Sequence, residues 1–296
     1  MASLYTQASH NVWRTYALMA VFLCLVVLVG WAASIYFGNQ AVLWGSLIFA
    51  ALTNIWAYWN SDKVAIRSAG AVPADETQYR ELHRIVENLA ITAGLPKPRV
   101  YIIEDAAPNA FATGRDAKHA AIAVTTGLLG MMERSELEGV LAHELSHIGN
   151  RDILVMTVAV VLVGFVSGLA NVFMQISYFG GDDRDRGPLV AIAAVLAMIL
   201  APLAAQLMQL AISRRREFLA DASGALLTRY PEGLASALQK IGSYAAPMER
   251  ASATTAHLFI SNPFGAHAAG QFFQKLFSSH PPIAERVAVL SQMDIR

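Results

Sequence analysis

Four stretches of this chain, residues 16–37, 41–59, 153–179 and 189–212, are long, apolar and free of any charged side chain. A helix needs about 20 residues to cross the hydrocarbon core of a bilayer, and each stretch meets or approaches that length. Buried helices of a water-soluble protein seldom run so far without a polar face, so the pattern points to four membrane spans. Composition agrees, with 55% of the 296 residues hydrophobic and 15% charged. The net charge is zero and no long run of one sign occurs, which argues against nucleic acid as a partner. The single cysteine, Cys24, falls inside the first stretch, so the chain has neither an intramolecular disulfide nor a multi-cysteine metal site.

Aromatic residues bracket the first two spans: Trp13, Tyr16, Trp31 and Tyr36 around one, Trp44, Trp56, Tyr58 and Trp59 around the next. Such rings favour the membrane–water boundary. Arg14, Lys63, Arg67, Arg151 and Arg214 to Arg216 lie on one side of the spans, Arg184 and Arg186 on the other. By the positive-inside rule both termini and the long polar segments are cytoplasmic. The first span is too long for the apolar part of a signal peptide and reads as a retained anchor.

The expected organisation is a transmembrane hairpin (1–60), a first cytoplasmic part (61–151), a second hairpin (152–212) and a second cytoplasmic part (213–296). The two cytoplasmic parts hold about 175 residues, enough for one discontinuous domain with its own core. Within them, 75–93 has helical periodicity and Gly94 to stop it. Residues 99–103 and 119–125 read as strands, 110–114 fits a third strand, and 281–292 reads as a last helix. The overall class is an α+β polar domain joined to a four-helix membrane region, mainly helical. Ser135 and Glu138 suggest a capping box at the start of another helix, and that helix carries the chemistry.

His143, Glu144 and His147 form H-E-x-x-H. On a helix the two histidines sit one turn apart on one face and can grip one ion, while Glu144 can reach a water at that ion without displacing a ligand. A catalytic zinc has three protein ligands and an open position, so one ligand is missing from the motif. The metzincin continuation is absent, because Asn150 and Ile153 stand where its glycine and third histidine belong.

The better candidate is Glu217. Counted along a continuous helix, His147 lies roughly 9 Å before the third span and Glu217 roughly 7–8 Å beyond the fourth. A hairpin of those spans returns both to one side of the membrane at one depth. His83, His119, His257 and His267 have no partner at ligand spacing and read as surface or packing residues.

With these residues in view, the chain resembles the HtpX family of membrane-bound zinc proteases, relatives of the type I CAAX prenyl proteases. The stretches that carry the resemblance are 108–114 (PNAFATG), 143–147 (HELSH), 216–221 (REFLAD) and 280–283 (HPPI). The resemblance implies that the α+β domain is a catalytic domain of zincin type, with one zinc ion on His143, His147 and Glu217 and with Glu144 as base and then acid. Asp221 would orient His143, and His280, with Arg286, would donate to the oxyanion. Asn109 and the strand containing Ala121 and Ala123 would line the cleft and pair with an extended substrate.

The resemblance also implies a bacterial inner-membrane protease of stress response and protein quality control, with the lipid bilayer and damaged or unfolded membrane proteins, itself included, as partners. Two other readings compete, a narrow-specificity processing protease of the prenyl-peptidase type and a non-catalytic zinc-binding membrane scaffold. Glu144 weighs against the scaffold, because a structural site has no use for an acid beside its first ligand. Cleavage preference and self-association are not legible in the sequence.

Overall fold

The computed structural model describes residues 4–179, 200, 213–250, 254–264 and 281–293. The first two apolar stretches form a helical hairpin, α1 (Leu4–Tyr36) and α2 (Gln40–Ser68). Its turn uses Gly38 at φ 60° and Asn39, whose side chain accepts the Ala41 amide and caps α2. α6 (Asp152–Phe179) packs against both helices, with Leu18, Phe22, Ala50 and Ala57 meeting Val155, Val158, Ala159 and Leu162. Trp13, Trp31, Trp44, Trp56 and Trp59 remain exposed on the outside, where a bilayer would receive them. Among the described residues three helices are long and apolar enough to cross a membrane: Ser9–Tyr36, Gln40–Ser68 and Asp152–Val172. The expected fourth span, 189–212, lies outside the described residues apart from Leu200, which is helical and buried.

α2 does not stop where its apolar stretch ends. It runs on to Ser68 and carries Asp62 into an ion pair with Arg99 at 2.7 Å, while Arg115 stacks over Trp59 at 4.6 Å. The polar part of the chain is therefore clamped to the end of a membrane helix. It contains a four-stranded sheet in the order β1-β2-β4-β3. β1 (Val72–Pro73) is antiparallel to β2 (Arg99–Ile103), β2 is parallel to β4 (Ala121–Thr125), and β4 is antiparallel to β3 (Ala110–Thr113). One face of the sheet packs on the membrane helices through Ile103, Phe111 and Ala123. Val100, Ile102, Ile122 and Val124 belong instead to a second core with α3 (Arg80–Thr92) and α5 (Arg134–Gly149).

The same core takes in α7 (Arg214–Thr228), α8 (Pro231–Ser243) and α9 (Ile283–Ser291), and a short helix α4 (Thr126–Met131) follows β4. α3 begins later than its periodicity suggests, because the Asp75 carboxylate accepts the Thr77 and Gln78 amides and holds a turn there; Gly94 then ends the helix at φ 66°. The cap of α5 also differs from expectation. Glu133 and Glu136 form it rather than Ser135 and Glu138, and Glu136 additionally accepts Ser236 and Lys240, tying α8 to the start of α5.

Candidate metal centre

His143, Glu144 and His147 lie on α5 and all are buried. α7 crosses α5 closely: a Cβ on Gly224 would lie 2.9 Å from the His143 backbone nitrogen. That close crossing presents Glu217 and Asp221, one turn apart on α7, to the histidines. α5 and α6 are not one continuous helix. Asn150 caps α5 and Arg151 takes a left-handed conformation at φ 57°, so the chain turns before α6. The rise counted along a continuous helix therefore does not describe this path, yet His147 and Glu217 still meet.

Ligand atoms of His143, His147 and Glu217 lie within 4.8 Å of one another. The two Nε2 atoms are 3.2 Å apart, and the Glu217 oxygens stand 3.8 Å from His143 Nε2 and 3.7 Å from His147 Nε2. Tetrahedral zinc with bonds of about 2.0–2.1 Å has ligand–ligand edges of about 3.3–3.4 Å, so the triangle is close to the size such an ion needs.

The hydrogen bonds on the far side of each ring support the same fit. His143 Nδ1 faces Asp221 Oδ1 at 2.9 Å and His147 Nδ1 faces Asp152 Oδ2 at 3.1 Å. Carboxylate partners keep the proton on Nδ1, so both Nε2 lone pairs point into one small space beside a third acceptor. Acceptors alone cannot satisfy one another; a cation or a proton must sit among them. Burial depresses the His147 pKa, but Asp152, Glu217 and Glu144 outweigh it and push it up to about 9. Burial takes His143 down to about 4 against the pull of Asp221, with Arg286 and His147 adding to the drop. One proton on the pair is the metal-free arrangement that these shifts describe.

Glu144 is almost completely buried, and its Oε2 has no hydrogen-bond partner. Burial pushes its carboxyl up to about 7; His147, the Ala112 amide and Arg286 pull it down and Glu217 pushes it further up. A carboxyl poised near neutrality suits proton transfer in both directions.

Arg286 on α9 is fully buried, with Nε and Nη2 on the two oxygens of Asp221 at 2.8 and 2.6 Å and Nη1 on the Ile260 carbonyl at 3.2 Å. Burial favours a neutral Asp221, but Arg286 and His143 overcome this and hold it below the usual carboxylate range. Arg286 thus stands behind His143, on the Nδ1 side, with its fork spent on Asp221. That geometry fits a support for Asp221 and does not fit donation to an oxyanion on the Nε2 side.

Three other expected site residues fall differently. Asn109 is buried and turned inward: its amide donates to the Ser261 carbonyl at 3.0 Å, and its Oδ1 accepts the Ala110 and Ser261 amides. It fastens β3 to the 259–261 segment and does not present its side chain to a cleft. Ala121 and Ala123 lie on β4, which is paired with β2 on one side and β3 on the other, so that strand has no free edge. The sheet's edges are β1 and β3; the edge beside the metal ligands is β3, whose Ala110 carbonyl already accepts the Ile260 amide at 2.9 Å and whose Ala112 amide reaches Glu144. His280 lies outside the described residues.

His83, His119 and His257 bond to the Ala74 carbonyl, Asp116 and the Met156 carbonyl respectively, away from the metal ligands. Asp152 was not singled out by motif reasoning. Its signal is that it is the one acidic residue between Glu144 and Asp182, at the mouth of an apolar stretch.

A buried histidine pair one turn apart, a glutamate from a crossing helix and an unpartnered carboxyl beside them, carried on long apolar helices, define the class: a membrane-bound metalloprotease. Comparison with known proteins agrees. The profile of peptidase family M48 matches residues 76–294. A protease HtpX homolog of Caldanaerobacter subterraneus subsp. tengcongensis is 47% identical and aligned over 99% of both chains. Another, from Pyrococcus furiosus, is 46% identical over 95% of both. The chain belongs to peptidase family M48, in its HtpX group. Ste24p of S. mikatae shares the fold, with a TM-score of 0.51 at 21% identity over 93% of this chain. The chain spans 62% of the length of that protein.

Proposed function

We propose that the chain is a zinc-dependent endopeptidase of gluzincin type that hydrolyses damaged or unfolded membrane proteins at the cytoplasmic face of a bacterial inner membrane, copies of itself included. The observation that carries this reading is the convergence of His143 Nε2, His147 Nε2 and the Glu217 carboxylate beside the unpartnered Oε2 of Glu144. Three protein ligands leave a tetrahedral ion one open position, the mark of a catalytic rather than a structural site. Zinc bound there would supply Lewis acidity to the scissile carbonyl and to the attacking water.

Glu144 accepts the proton of the attacking water on Oε2, which no other group in the site occupies, and then delivers it to the leaving amine. Asp221 and Asp152 keep His143 and His147 in the tautomer that directs Nε2 to the ion. By resemblance to the family, His280 donates to the oxyanion. An extended substrate pairs along the outer edge of β3, beyond the Ile260 contact, which places the peptide beside Glu144.

In this reading the catalytic domain is assembled from residues 61–151 and 213–296. Thr157 on α6 bonds to Thr113 at 2.9 Å and takes the Gly114 amide at 3.3 Å, which holds the substrate edge against a membrane helix and favours membrane-embedded substrates.

Glu144→Gln tests the chemistry. The change preserves shape and all three proposed ligands but removes the base, typically worth about 10² to 10⁴ in rate. Detergent-solubilised wild type supplied with zinc should cleave an unfolded casein-like protein and stop on addition of chelator, while the variant stays inert. Equal cleavage by both, with contaminating proteases excluded, overturns the mechanism.

A further inference from the structure

The support behind His147 does not come from the catalytic domain alone. Asn11 lies on α1, just before the first apolar stretch, and is 1% exposed. A buried amide is costly unless its donors and acceptor are matched. Here they are. Nδ2 donates to Asp152 Oδ1 at 2.5 Å and to the Asn150 carbonyl at 3.1 Å, and Oδ1 accepts from Arg216 Nη1 at 3.5 Å. Asp152 and Arg216 are themselves buried, with Arg216 Nε 3.8 Å from Asp152 Oδ1. The other Asp152 oxygen faces His147 Nδ1.

We propose that Asn11 is a positioning residue of the metal centre, acting through Asp152 on His147, so that α1 is part of the site's support as well as an anchor. The inference rests on the reading of His147 as a ligand. Its chemistry is specific to an amide. Position 11 must donate to a carboxylate and accept from a guanidinium at once, which neither an aspartate nor an apolar side chain does. Asn11 also grips the chain on both sides of the left-handed Arg151, through the Asn150 carbonyl and the Asp152 carboxylate. The turn that aims Asp152 at His147 is therefore held from the membrane helix. The two histidines are thus supported from different places. Behind His143 stand Asp221 and Arg286, from α7 and α9; behind His147 stand Asp152 and a residue of α1.

The test uses the full-length chain in detergent, stripped of metal, with zinc affinity measured by competition against a chromophoric chelator. The visible spectrum of the cobalt-loaded protein is a second readout. Wild type is measured first: failure to bind one zinc ion refutes the reading of the site itself and is thereby distinct from failure of this inference.

Given wild-type binding, Asp152→Ala should weaken zinc about 10- to 100-fold, the usual range for partners of ligating histidines. Asn11→Leu should weaken it about tenfold by the same route and alter the cobalt bands. The double variant should be no weaker than Asp152→Ala alone. Thr15→Val, which removes a hydroxyl bonded to the Asn11 carbonyl within α1, should leave affinity within about twofold, since it touches none of the ligand partners. If Asn11→Leu does not fold, Asn11→Asp is read in its place; it keeps the size but sets a carboxylate against Asp152, and should weaken zinc likewise. Wild-type affinity and cobalt spectrum in whichever variant folds overturns the inference, as does a double variant whose loss is the product of the single losses.

Discussion

Gly224→Ala is a substitution for which the ordinary helix rule and this structure predict opposite signs. In the interior of α7 the change should stabilise the helix by about 1 kcal/mol, because alanine loses less backbone freedom than glycine. But the added Cβ would lie 2.9 Å from the His143 nitrogen and 3.1 Å from both Ala142 C and His143 Cα. All three are backbone atoms of α5 and cannot rotate away. Ordinary contact begins at 3.4 Å, so the helices must part by about 0.5 Å. Overpacking of this kind costs about 1–3 kcal/mol, which offsets or exceeds the propensity gain and leaves a net loss of up to about 2 kcal/mol.

The larger effect falls on the metal. Glu217 and Asp221 ride on α7 and the histidines on α5, and a metal site tolerates departures of only about 0.2 Å in its ligand distances. Zinc affinity should drop about tenfold or more, as for other displaced ligand supports. Melting of the metal-free protein in detergent and chelator competition for zinc measure the two effects separately. A Gly224→Ala protein that is more stable than wild type and binds zinc equally well would refute the close-crossing argument.

Two further outcomes are expected. With His147 pushed up to about 9, zinc must displace a proton at any pH below that value, so affinity should rise by at least about tenfold per pH unit from pH 6 to 8 and level off above 9; a flat profile over that range contradicts the arrangement of Asp152, Glu217 and Glu144 around the ring. For topology, in a Cys24→Ala background, Gly38→Cys in the α1–α2 turn should react with an impermeant thiol reagent on intact cells and Glu87→Cys on α3 only after lysis. The reverse pattern removes the proposed orientation.

The features legible in the sequence are those set by local pattern. Charge-free stretches announced α1, α2 and α6, the spacing of Leu82, Ile85, Val86 and Leu89 announced α3, and β2 lies where its β-branched run placed it. The helical spacing of H-E-x-x-H announced His143 and His147 on one face of α5, and Glu217 came into view from an expected hairpin whose second span lies outside the described residues. What escaped depends on distant partners. The place of β4 inside the sheet is decided by β2 and β3 together, so Ala121 and Ala123 looked like an edge when read alone. Asn109 belongs to a lock with Ser261, a contact no spacing encodes. Asp152 and Asn11, 141 positions apart, meet because α1 docks on the start of α6. The left-handed Arg151 that breaks α5 from α6 is not a glycine, so nothing in the residue type marked the turn.

The proposed chemistry depends on one ion and its three protein ligands, and X-ray absorption at the zinc edge of the loaded protein reads them directly. One zinc per chain should show two imidazoles and one carboxylate, with the remaining position taken by a light exchangeable ligand. Glu217→Ala should lose the carboxylate contribution and most of its zinc at limiting metal. A wild-type spectrum of four protein ligands, or a Glu217→Ala protein with unchanged zinc occupancy and coordination, would contradict the assignment of His143, His147 and Glu217 as an open catalytic site.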